Sequence, residues 1–136
     1  MKIVCDTNVL ISGILFGGHA RMVVRAALQN RVENCISPDM LNELQDVLSR
    51  RKFRLTPARA TAITDLAART FTLVTPTIAV HTIVDDPDDN AVLEAALAAG
   101  ARYIVSGDAH LLQLRLWHTI AVVTPHAMAD RLDLAQ

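Results

Sequence analysis

Apolar residues fall into short runs and helical stripes that alternate along the whole chain. Four runs have the length of buried strands, and they span residues 2–5, 32–36, 102–105 and 119–123. Between them, apolar residues recur three and four positions apart, as in amphipathic helices. This alternation predicts a three-layer α/β fold, with a central parallel sheet of four or five strands and helices on both faces.

Helix starts are marked by a hydroxyl residue that precedes a proline. The pattern occurs at Ser37-Pro38, Thr56-Pro57 and Thr124-Pro125. A hydroxyl caps the first free amide groups, and proline suits the first helical position, so each pair predicts where a helix begins. Asp88 is expected to cap a further helix over Asp89 to Ala99, which Gly100 ends. Residues 71–84 lack a helical period and predict an extended connection or an edge strand.

Composition favours one compact, soluble domain over residues 1–136. Apolar residues make up 51% of the chain and charged residues 20%, which argues against disorder. No run reaches the roughly 18 to 20 apolar residues that cross a bilayer, and the start of the chain turns polar too early for a signal peptide. We therefore expect a cytoplasmic protein without membrane contact. Cys5 and Cys35 lack the spacing of a zinc motif and are interpreted as core thiols.

Charge is nearly balanced overall but unevenly distributed. The net charge is −1; residues 1–70 hold ten Lys and Arg against six Asp and Glu, and residues 71–136 hold three against eight. The balance argues against strong non-specific binding to nucleic acid. A basic half beside an acidic half can still bind a polyanion if metal ions occupy the acids.

Four carboxylates from separate segments are predicted to meet at one edge of the sheet. Asp6 follows the first strand and Asp108 follows the strand at 102–105, and the carboxyl ends of parallel strands share an edge. Glu43 lies beside the apolar stripe of its helix, and Asp89 lies in the first turn of another. Clustered carboxylates repel one another unless a cation lies between them, and an all-oxygen site suits Mg²⁺ or Mn²⁺.

The motifs that carry these acids resemble the PIN domain. They are Asp6-Thr7-Asn8 after a strand, Glu43-Leu44 on a helix, Asp86-Pro87-Asp88-Asp89-Asn90 at a helix start, and Ser106-Gly107-Asp108 after a strand. Within that family the chain is most similar to VapC-like toxins of bacterial toxin-antitoxin systems, and the resemblance runs from Lys2 to about Val123. Each motif alone is weak, but the four in this order are specific.

The resemblance implies which residues form the site. Asp6, Glu43, Asp89 and Asp108 match the catalytic, metal-binding acids, while Asn8 and Ser106 match supporting polar positions. Many members have a further acid two residues beyond the fourth. Here that position is His110, which puts a second metal site in doubt.

The resemblance also implies hydrolysis of RNA phosphodiester bonds with Mg²⁺ or Mn²⁺ as cofactor. RNA would be the substrate, an antitoxin protein a possible partner, and a homodimer the expected assembly. Apolar residues of one helix, from Met22 to Leu28, supply part of the surface for a dimer. A basic run is either a solvated helix end or an RNA contact, and it consists of Arg50, Arg51, Lys52 and Arg54.

Other interpretations remain open. Asp6 alone could be only a helix cap, and Asp85, Asp86 and Asp88 are interpreted as a solvated acidic loop. A PIN-like module that binds RNA or protein without cutting is one alternative function. A metal-dependent phosphatase of the haloacid dehalogenase type is another, but that family expects a second aspartate where this chain has Asn8.

Overall fold

A computed structural model describes residues 1–83 and 86–134. Six strands form its sheet: β1 (Lys2–Cys5), β2 (Glu33–Ile36), β3 (Thr72–Leu73), β4 (Tyr103–Val105), β5 (Leu116–Trp117) and β6 (Ile120–Val123). Their order is β3-β2-β1-β4-β6-β5. All neighbouring pairs are parallel except β5 and β6, which are antiparallel. The predicted α/β class with a parallel sheet is confirmed.

Seven α-helices lie in the described part of the chain: α1 (Thr7–Ile11), α2 (Gly18–Leu28), α3 (Pro38–Leu48), α4 (Pro57–Thr70), α5 (Pro87–Ala99), α6 (Ala109–Leu112) and α7 (Pro125–Leu134). A π-helical turn follows α1 at Ser12–Phe16, and a 3-10 turn follows α3 at Arg51–Phe53. No single described helix is long and apolar enough to cross a membrane. The segments Thr7–Phe16 and Gly18–Leu28 are together long and apolar enough by length and composition, but they are bent by 95° relative to each other.

The sheet has more strands than the sequence predicts. The edge strand expected within residues 71–84 is only Thr72–Leu73, and Val84 lies outside the described residues. The additional strand β5 pairs with β6 through a turn in which His118 has a φ of 55°. Two-residue strands are too short to show a period of two, so β5 gave no hydrophobic signal.

Helices cover both faces of the sheet. Ile3, Val4 and Cys5 are consecutive in β1 and all buried. Because successive side chains of a strand point to opposite faces, both faces of β1 must be covered. On one face of the sheet, α5 packs across β2, β1 and β4. The helices α2 and α7 pack against each other. Cys35 is also buried, and the prediction that both thiols are free core residues is confirmed.

The predicted cap and proline pairs begin three helices. The Ser37 hydroxyl accepts a hydrogen bond from the Met40 amide at 3.2 Å, and Thr56 and Thr124 make equivalent bonds at 3.1 Å. A fourth pair was missed. Asp86, and not Asp88, caps α5, because Asp86 precedes Pro87 and accepts from two amides of the first turn. Gly100 ends α5 as predicted, with a φ of 64°.

Candidate metal centre

The register of β1 and β4 brings two site segments side by side. Cys5 pairs with Val105, and the Asp6 amide donates a 3.0 Å hydrogen bond to the Val105 carbonyl. The residues that follow the two strands are therefore neighbours at the carboxyl edge of the sheet. Asp6 and Ser106 meet there, although they lie 100 residues apart in sequence.

Asp6 is buried and held by the backbone and by Ser106. Its Oδ1 accepts a 2.9 Å hydrogen bond from the Val9 amide, which caps α1. Its Oδ2 accepts a hydrogen bond from the Ser106 hydroxyl. Burial raises the pKa of Asp6, the nearby charge of Asp108 adds to the rise, and the two hydrogen bonds oppose it. Asp6 is thus both a helix cap and a carboxylate that would gain from a cation.

Ser106 links the first acid to the last. Its hydroxyl oxygen accepts a 2.9 Å hydrogen bond from the Asp108 amide while the hydroxyl donates to Asp6. Ser106 is fully buried at the end of β4. Asp108 is half-buried, and its Oδ1 accepts from the His110 and Leu111 amides at 2.8 and 3.3 Å, which caps α6.

Glu43 reaches the site from α3, where it is half-buried. The Thr7 hydroxyl donates a 2.9 Å hydrogen bond to Glu43 Oε2. Burial raises the pKa of Glu43, and the charges of Asp88, Asp6 and Asp86 raise it further, while the Thr7 bond lowers it. Glu43 is therefore close enough to the other acids for their charges to interact.

Asp89 lies in the first turn of α5 and is 8% exposed. Among the described residues, its Oδ2 is a buried oxygen without a hydrogen-bond partner. Burial is the main cause that raises the pKa of Asp89 to about 7, and the charges of Asp108 and Asp86 contribute. An unpaired buried carboxylate oxygen is costly, and a cation would relieve both its desolvation and its repulsion.

The structure thus places the four predicted acids in one electrostatic network. Asp6 interacts with Asp108, Asp108 with Asp89, and Glu43 with Asp6. Asn8 is exposed. The basic run at residues 50–54 forms the 3-10 turn after α3, and its four cations are exposed.

Two neighbours of the site were missed or interpreted wrongly from sequence. Asp86 is not a solvated loop acid, because it is half-buried and caps α5; Asp88 is exposed, and Asp85 lies outside the described residues. Thr7 received no role, although it holds Glu43. The pairing of Asp86 with Pro87 was a usable signal, since it repeats the cap pattern of three other helices.

His110 also borders the acids. Its Nδ1 lies 3.9 Å from Asp89 Oδ2 and 3.9 Å from Asp108 Oδ1, and its side chain is 65% exposed. Asp86, Asp89 and His110 each offer a ligand atom within 4.8 Å of the others. Carboxylates, an unpaired buried oxygen and raised acid pKa values together suit a divalent cation.

The parallel α/β fold and the acidic cluster at its carboxyl edge, which could hold a metal ion, together define a structural class of protein. Within that class, the PIN domain family profile matches residues 2–110, and the chain belongs to that family. No curated protein sequence matches the chain significantly.

Solved structures show the same fold at low sequence identity. One is VapBC2 from Rickettsia felis bound to a DNA fragment from its promoter, with a TM-score of 0.63, 12% identity, and coverage of 91% of this chain and 98% of that chain. Another is PAE2754 from Pyrobaculum aerophilum, with a TM-score of 0.64, 15% identity, and coverage of 99% and 90%.

Proposed function

We propose that this chain is a Mg²⁺- or Mn²⁺-dependent endoribonuclease and the toxin of a toxin-antitoxin pair, acting as a single cytoplasmic PIN-like domain over residues 1–136. The observation that carries the proposal is the buried Oδ2 of Asp89, which has no hydrogen-bond partner among the described residues and lies within a cluster of carboxylates at the sheet edge. A cluster of this kind is stable in its ionised form only with a cation.

Asp6, Glu43, Asp89 and Asp108 would hold the cation. Ser106 fixes Asp6, and Thr7 fixes Glu43. Two backbone amides of α6 fix Asp108, so three of the four carboxylates are oriented before any ion binds. A bound divalent ion would lower the pKa of water and offset the charge that develops on the phosphate oxygens during hydrolysis. Asp108 is partly exposed and can meet the substrate side of the site.

The test compares RNA cleavage by the wild type with cleavage by Asp6→Asn and Asp89→Asn, in Mn²⁺, in Mg²⁺ and in EDTA. Each change keeps the size of the side chain and removes its charge. We expect cleavage only with metal, and a fall of at least about a hundredfold in both variants, because each loses a catalytic ligand. Thermal melting keeps loss of folding apart from loss of activity. Cleavage by the wild type that persists in EDTA would refute the metal mechanism.

The acidic site alone would repel RNA, so a basic surface is needed as well. We propose that Arg50, Arg51, Lys52 and Arg54 contact the phosphates. Lys52 Nζ lies 5.1 Å from the centre of the Phe53 ring, and that ring lies 6.1 Å from the Phe16 ring, whose residue is 66% exposed. Phe16 therefore offers a surface for base stacking beside the cations.

Salt dependence tests this surface. The double variant Arg51→Ala/Lys52→Ala should bind RNA more weakly. The slope of the logarithm of the binding constant against the logarithm of the salt concentration should become shallower, by about 0.7 for each lost phosphate contact. Arg59→Ala/Arg69→Ala is the matched control, because it removes two exposed cations from α4. If the two double variants bind alike, the basic turn is only a solvated helix end.

The proposed protein partners are an antitoxin and a second copy of the chain. The similarity in fold to VapBC2 from Rickettsia felis supports a toxin-antitoxin role. The apolar surface that α2 offers to a homodimer is smaller than its sequence suggests, because Val23 and Val24 are buried within the chain. Leu28 on α2 and Leu66 on α4 are 51% and 53% exposed beside one apolar groove.

Light scattering tests the dimer. We expect a mass of two chains for the wild type and for Ile78→Glu, and of one chain for Leu28→Glu/Leu66→Glu. Ile78 is a suitable control because it is 64% exposed but lies outside this groove. A wild type that is monomeric at micromolar concentration would refute the dimer.

The alternative of a non-catalytic RNA-binding module is separated by the same assays. It predicts RNA binding that survives Asp89→Asn and an absence of cleavage with any metal. Buried acids with raised pKa values favour the nuclease, because a module without metal gains nothing from them.

A further inference from the structure

Three side chains beside the acidic centre come from two helices that start at the same edge. Asp86 and Asp89 belong to the cap and the first turn of α5, and His110 belongs to α6. One ligand atom of each lies within 4.8 Å of the other two. Two carboxylate oxygens and one imidazole nitrogen therefore lie close together.

The second observation concerns the Oδ2 atom of Asp89. Asp89 Oδ2 is buried and has no hydrogen-bond partner among the described residues, and the whole residue is 8% exposed. His110 Nδ1 faces this oxygen at 3.9 Å, which is too long for a hydrogen bond. Two ligands of one ion, each roughly 2.0 to 2.2 Å from it, lie up to about 4.4 Å apart. The gap between the two atoms is thus compatible with an ion.

The nitrogen changes which ion is preferred. Imidazole binds first-row transition metals, whereas Mg²⁺ takes oxygen ligands and keeps its waters. Asp86 would balance the neutral imidazole with a negative charge. His110 stays accessible for binding, because its side chain is 65% exposed and loses little hydration on ligation.

We propose that Asp86, Asp89 and His110 form a mixed oxygen and nitrogen site that binds a first-row transition-metal dication in preference to Mg²⁺. The site shares Asp89 with the centre of the proposed ribonuclease and so deepens that proposal by defining its metal selectivity. Asp86 and Asp89 supply the negative charge of the site, and His110 supplies its nitrogen ligand.

Metal binding can be measured without RNA. Mn²⁺ is titrated into the full chain and followed by the loss of the free-ion electron paramagnetic resonance signal, with Mg²⁺ as competitor. Pulsed measurements on the same samples detect a histidine nitrogen bound to Mn²⁺. We expect that nitrogen signal in the wild type and its absence in His110→Ala, together with a loss of Mn²⁺ affinity of at least about tenfold.

Two variants sharpen the test. His110→Asp should bind Mn²⁺ without the nitrogen signal and with a smaller preference for Mn²⁺ over Mg²⁺, because all its ligands are oxygens. The control is His126→Ala, which removes another exposed histidine beside a carboxylate, since His126 Nε2 lies 3.4 Å from Asp130 Oδ2. A nitrogen signal that persists in His110→Ala, or unchanged Mn²⁺ affinity in that variant, overturns the inference.

The outcome is separable from that of the proposed function. If Asp6→Asn abolishes RNA cleavage but His110→Ala binds Mn²⁺ like the wild type, the ribonuclease stands and the mixed site falls. If the nitrogen signal appears but no RNA is cut, the mixed site stands without the ribonuclease.

Discussion

The Thr7 hydroxyl donates a 2.9 Å hydrogen bond to Glu43 Oε2 and so ties the first turn of α1 to the middle of α3. Thr7 is almost fully buried, and Glu43 is half-buried. The bond orients the one predicted metal ligand that is not at a strand end or a helix start. It also lowers the pKa of Glu43, against the rise that burial causes.

Thr7→Val should therefore weaken metal binding while it keeps the shape of the side chain. Without the hydroxyl, Glu43 loses its orientation and binds a proton more readily, so we expect Mn²⁺ affinity to fall several-fold. The free energy of unfolding should fall by about 1 kcal/mol. Calorimetric titration and urea unfolding measure the two effects. Thr7→Ser restores the hydroxyl and should recover most of the affinity; equal affinity in Thr7→Val and the wild type would show that the bond has no role in binding.

The stability of the metal-free protein should depend on Asp89 between about pH 4 and 7. Burial raises the pKa of Asp89 to about 7, and an unfolded aspartate titrates near 3.9. Because the folded value is the higher one, the stabilising contribution is complete below about pH 4 and is lost as the pH rises towards 7.

The measurement is urea unfolding in EDTA across this range, for the wild type and for Asp89→Asn. We expect the wild type to lose stability relative to the variant as the pH rises. Asp46→Asn serves as the control, because Asp46 is exposed on α3. Parallel curves for the wild type and Asp89→Asn would contradict the raised pKa of Asp89. Saturating Mn²⁺ should remove the loss, because the ion favours the ionised carboxylates.

Gly13→Ala should destabilise the fold. A Cβ at this position would lie 2.5 Å from Val24 Cγ2 and 2.8 Å from the Ala20 carbonyl oxygen, so the π-helical turn could not pack against α2 without a shift. Overpacking of this kind costs about 1 to 3 kcal/mol. Urea unfolding checks the value. Gly107→Ala is the matched control, because nothing lies within 4 Å of its Cβ. Equal losses in both variants would contradict the steric explanation.

Asn90→Asp should loosen the backbone at Ile83. The Asn90 side chain accepts a 2.9 Å hydrogen bond from the Ile83 amide and donates a 2.6 Å bond to the Ile83 carbonyl. An ionised aspartate has no donor, so one bond is replaced by repulsion between two oxygens, at about 1 to 3 kcal/mol.

Hydrogen exchange at the Ile83 amide and urea unfolding report this loss. Asn42→Asp on α3 makes the same chemical change at an exposed position and should be nearly neutral. Wild-type protection of the Ile83 amide in Asn90→Asp would contradict the role of Asn90.

Sequence predicted the fold because its signals are local. Ser37 and Thr56 indicate helix starts because each has a hydroxyl that can cap a helix and precedes a proline. β1 was predicted because it contains a continuous apolar run. The acids at strand ends follow from the same logic, since parallel strands share an edge. Register and side-chain pairing are not local. Nothing in the sequence pairs Thr7 with Glu43. The cap at Asp86 was hard to recognise because three other aspartates surround the Asp86-Pro87 pair.

The link between Asp6 and Ser106 has a consequence for how the protein is made. The two residues are 100 positions apart, and β1 pairs with β4 only after both have been synthesised. During translation, β1 emerges from the ribosome early, but it cannot pair with β4 until most of the chain has been synthesised. The acidic edge can thus form only once Asp108 has been synthesised, so a nascent chain that ends before this residue lacks one of the four carboxylates.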